Sequence, residues 1–157
     1  KMDITNTIIG IVFFSLIIIP IFIINNNVRK RKNQLLNTLN ELSSDKNIKF
    51  SDTDFWANNS GIGLKGDMIA FFRKGEEAQI NEVVNLKEVK KCTLVQFDKH
   101  GNVPKNNPEI NKLALHLTLS NHKEVNLVFF HADVKNFIIG EEFRIAKKWL
   151  DIITSKI

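Results

Sequence analysis

The sequence predicts an α+β protein: an amino-terminal transmembrane helix, then an antiparallel β-sandwich or partly open barrel of about seven strands, capped by a carboxy-terminal amphipathic helix. Three observations carry this reading. Ile4 to Ile24 contains no charged residue and is followed by the basic quartet Arg29, Lys30, Arg31 and Lys32. Beyond Lys46 the texture becomes short β-type runs separated by turn residues. The last stretch, from Gly140, repeats apolar residues at three- and four-residue steps.

The apolar run comes first. From Ile8 to Ile24 only Gly10, Ser15 and Pro20 interrupt Ile, Phe, Leu and Val. Helical residues at 1.5 Å each would cover about 31 Å, the thickness of a bilayer core. A cleaved signal peptide would want positive charge before the run and small residues after it. Asn25-Asn26-Asn27-Val28-Arg29 follows instead, so residues 1–28 are expected to stay as an anchor. The quartet Arg29–Lys32 acts as topology signal and headgroup contact. It places the amino terminus outside and the carboxy-terminal domain in the cytoplasm, as a single-pass protein of the bacterial inner membrane. Pro20 frees a backbone carbonyl one turn earlier and is expected to kink the helix.

Charge divides along the same line. Residues 1–32 carry five basic side chains against Asp3 alone, whereas residues 33–157 carry 17 basic and 16 acidic ones. The domain is therefore nearly neutral, which argues against a nucleic-acid surface built on clustered cations. One cysteine, Cys92, excludes an internal disulfide framework and reads as a structural thiol.

Residues 29–45 form a basic juxtamembrane stretch and a short connector helix. Leu35, Leu39 and Leu42 share one face of it, a stripe too short for a coiled coil and suited to packing on the domain or a neighbour. The domain itself occupies 46–157. Ile48-Lys49-Phe50 and Phe55-Trp56-Ala57 are fragments of a first strand, with Ser51-Asp52-Thr53-Asp54 read as a turn between them. Ile62–Leu64 and Met68–Phe72 flank Lys65-Gly66-Asp67, a hairpin signal. Val83–Leu86 and Cys92–Phe97 are further strands, and Asp98 to Pro108 is a loop. Leu113 to Leu119 alternates leucines with small or polar residues, and Ser120–Lys123 turns the chain into Val125–Phe130. In the final helix Phe143, Ala146, Trp149 or Leu150, Ile153 and Ile157 form the core-facing stripe, with Glu141 and Glu142 at the positive end of the dipole.

This order of elements, with three local strings, resembles the pleckstrin-homology-like (PH-like) fold found in small bacterial membrane proteins. The strings are Val84–Cys92, similar to that fold's strand–Leu-x-x-Val–strand step, the Leu113–Leu119 and Val125–Phe130 hairpin, and Gly140-Glu141-Glu142 leading to Ala146-Lys147-Lys148-Trp149. Trp149 is similar to the tryptophan many such domains carry in their capping helix. The resemblance covers about residues 46–157 and implies a fold more than an activity. Members that bind inositol phospholipids use a basic cluster around the first hairpin. The matching positions here are Lys65, Arg73 and Lys74, a weak lipid or anion contact interleaved with Asp67, Glu76 and Glu77.

No string carries catalytic chemistry. His100, His116, His122 and His131 have no ligand-spaced His, Cys or acidic neighbour. Gly61-Ile62-Gly63 leads into a strand and lacks the helix that would make it phosphate-binding. The expectation is a non-enzymatic binding module without cofactor or metal, an accessory or assembly subunit of a multi-subunit membrane complex. Its partners would be membrane lipids through the anchor and another membrane protein, not nucleic acid. Lipid-headgroup sensing by the domain is the alternative.

Overall fold

In the computed structural model the described backbone comprises residues 4–43, 49–75, 79–98, 110–132 and 140–157. Within the first helix, side chains are described at 16, 18–20 and from 26 onward. The elements are α1 (Ile4–Leu42), β1 (Asp52–Trp56), β2 (Ser60–Lys65), β3 (Met68–Lys74), β4 (Gln79–Asn85), a 3-10 turn (Leu86–Glu88), β5 (Val89–Phe97), β6 (Lys112–Leu119), β7 (Glu124–His131) and α2 (Glu141–Thr154).

The strands form two antiparallel sheets, β1-β2-β3-β4 and β5-β6-β7. In each sheet, strands consecutive in the sequence pair antiparallel. Gly66 supplies the positive φ, +56°, at the β2–β3 turn. Along β6 the period-2 leucine pattern puts Leu113, Leu115, Leu117 and Leu119 on one face, and all are buried. Opposite them lie Trp56, Ile62, Leu64, Ile69, Phe71 and Val84 of the first sheet. Trp56 stacks on Phe129 at 4.9 Å between ring centroids, and its Nε1 donates to the Phe129 carbonyl at 2.9 Å. One end of this core is closed by α2, through Ala146, Trp149 and Ile153 together with Ile145, which the simple stripe omits. Phe143 and Leu150 are half-buried against the same core, whereas Ile157 is exposed.

Three expectations are corrected. Among the described residues no helix is long and apolar enough to cross a membrane. That finding overturns the transmembrane anchor at 1–28, and with it the single-pass topology and the inner-membrane localisation. The side chains of the apolar run lie outside the described residues except Leu16, Ile18, Ile19 and Pro20, which are exposed. Beyond them α1 is polar and basic, and every side chain from Asn26 to Gln34 is exposed. Second, the connector is not a separate helix: α1 continues through Pro20 and the basic quartet to Leu42. Third, Ser51–Asp54 is not a turn. The strand starts at Asp52 because the Asp54 carboxylate finds its donors on α2 instead of its own backbone.

The end of α1 lies on the outer face of the first sheet. Leu35 and Leu39 are buried against Ala70 and Phe72, with Leu42, Phe50 and Phe55 partly buried around them. Gly61 and Gly63 make this possible. A Cβ on Gly61 would sit 2.6 Å from Phe72 Cε1 and 2.7 Å from Phe55 Cδ1, and one on Gly63 2.7 Å from Phe50 Cδ1. The rings therefore close over the two glycines, next to the leucine stripe.

Candidate groove between α1 and β1

Packing the leucine stripe fixes the rotation of α1, and the helical period decides what its other faces meet. At 100° per residue, Asn33, Asn37 and Asn40 fall on one stripe, turned away from Leu35 and Leu39. This stripe forms one wall of an open cavity of about 540 Å³. The facing wall is Lys49 and Phe50, from the segment that enters β1, with Thr53 of β1 itself, and Leu36 completes the lining. A volume of this size falls within the range of ligand-binding clefts.

The lining is rich in carboxamides and holds one charge, that of Lys49. An Asn side chain offers two donors and one acceptor with two lone pairs, so it can pair with both the N–H and the C=O of a peptide unit. Among the described residues, Asn40 Oδ1 is a buried side-chain acceptor without a hydrogen-bond partner. Such a group costs about 1–3 kcal/mol while it stays unpaired. Carboxamides and an aromatic ring can bind and orient; they do not transfer protons near neutral pH.

The residues singled out from the sequence are dispersed. Arg29, Lys30, Arg31 and Lys32 are exposed on α1, and Arg31 Nη1 donates to Asn58 Oδ1 at 2.9 Å, tying the helix to the β1–β2 turn. Pro20 is exposed within α1. The Leu35, Leu39 and Leu42 stripe packs on the domain. Lys65 and the pair Arg73–Lys74 do not come together. Lys65 pairs with Met68 at one end of the β2–β3 hairpin and Arg73 with Ser60 at the other. Five residues of strand separate those ends, about 17 Å. Arg73 Nη2 donates to the His131 carbonyl at 3.5 Å.

Two further polar groups have structural partners. Asp54 Oδ2 accepts from Lys148 Nζ at 2.7 Å and from Trp149 Nε1 at 2.8 Å, clamping α2 to β1. His116 Nδ1 lies 2.9 Å from Asn126 Oδ1, across the β6–β7 ladder. His122 and His131 are exposed, and His100 lies outside the described residues. Among the described residues no group of three or more His, Cys, Asp or Glu side chains is placed to hold a metal ion. Cys92 is half-buried in β5, and burial pushes its thiol pKa up to about 11.

The groove escaped the sequence reading because its signal is weak. Asn at i, i+4 and i+7 beside a leucine stripe is ordinary for a solvated helix face. Only the β1 segment opposite makes it a wall. No protein-family model matches the chain, and no curated protein or solved structure is similar to it.

Proposed function

We propose that the chain is a non-enzymatic protein-binding module of PH-like architecture, an accessory or assembly subunit of a larger complex, and that it takes its partner in the α1–β1 groove. The observation that carries this reading is the groove's lining. Three carboxamides, an aromatic ring and one cation suit recognition of a polypeptide and lack an acid–base or nucleophile pair. Two antiparallel sheets of four and three strands with a carboxy-terminal helix support the PH-like assignment. The near-neutral domain supports a protein partner over a nucleic acid. Headgroup sensing through Lys65, Arg73 and Lys74 gains nothing from cations held at opposite ends of a hairpin.

The test is position-specific photo-crosslinking in the cells that make the protein. A benzophenone amino acid at Asn37 should give one discrete adduct with another polypeptide, while the same probe at the exposed turn residue His122 gives none. Filling the groove with Asn40→Trp should remove that adduct. No adduct at 37, or the same adduct from 122, would refute the proposal.

A further inference from the structure

We draw no further inference here: the strongest candidate, the outer edge of β5, where Cys92 and Leu94, like Phe143, Leu150 and Ile152 of α2, pack half-buried against the core, is an apolar rim for which nothing in the structure shows what covers it.

Discussion

Asp54 is the residue through which the two ends of the domain are joined, and its replacement has a calculable cost. Trp149 is fully buried, and its indole N–H donates to Asp54 Oδ2 at 2.8 Å. Lys148 shares that oxygen, but its side chain is 41% exposed, so the ion pair contributes little. In Asp54→Ala the indole N–H is left buried without an acceptor. Loss of a hydrogen bond to a charged group costs about 1.5–3 kcal/mol. At roughly 4 °C per kcal/mol for a domain of this size, Tm should fall by about 6–12 °C. Asp54→Asn keeps an acceptor in place and should cost about 1 kcal/mol, the difference between a charged and a neutral acceptor. Thermal and urea unfolding followed by tryptophan fluorescence measures both. A Trp149→Phe background supplies the decisive arm, because without the indole N–H the Asp54→Ala change should cost under about 1 kcal/mol. An equal cost in both backgrounds, or no cost in either, would refute the clamp.

Other substitutions test other parts of the structure. Cys92, with its pKa raised to about 11 by burial from an ordinary 9.0, should react with iodoacetamide at pH 8 about a hundredfold more slowly in the folded chain than in urea. Because the folded state keeps a proton that the unfolded state releases, stability contributed by this group is full below pH 9 and is lost as pH rises toward 11. Gly61→Ala would force a Cβ to within 2.6 Å of the buried Phe72 ring and should cost about 1–3 kcal/mol in urea unfolding. Gly140→Ala, with nothing within 4 Å, should be within about 0.5 kcal/mol of neutral in the same assay. Leu39→Ala removes a fully buried side chain from the small cluster under α1 and should cost about 2–5 kcal/mol of helix docking. Hydrogen exchange should then quicken in the last turns of α1 while β6 stays protected.

Much of the sheet architecture could be read from the chain, and the reasons are local. Leucines every second residue at 113–119 can face one way only in a strand, and Lys65-Gly66-Asp67 contains the glycine a tight turn needs. What escaped depends on contacts distant in sequence. Ser51-Asp52-Thr53-Asp54 has turn composition, but the partners of Asp54 lie on α2, 94 and 95 positions away. Lys65 and Arg73 look close in the sequence, yet a strand between them holds them apart, whereas a loop would have let them converge. Gly61 and Gly63 lead into a strand and so do not read as a phosphate loop, but their role shows only once the rings of Phe50, Phe55 and Phe72 are seen to occupy the space their missing Cβ atoms leave. The groove combined both problems: one wall is a solvated-looking helix face, and the other is a segment that composition assigns partly to a turn.

The two stripes of α1 cannot be separated energetically. Leu35 and Leu39 hold the helix on the sheet, and the same rotation turns Asn33, Asn37 and Asn40 toward the segment entering β1. A ligand that grips both walls binds only the docked helix, so its affinity is scaled by the docked fraction. Leu39 is not itself part of the groove lining, but Leu39→Ala lowers that fraction. If it left one molecule in ten docked, partner affinity would fall about tenfold with the lining residues unchanged. By the same linkage, a bound partner should slow exchange in the last turns of α1. Affinity that ignored Leu39→Ala would place the binding surface on one wall alone and remove the bridged geometry.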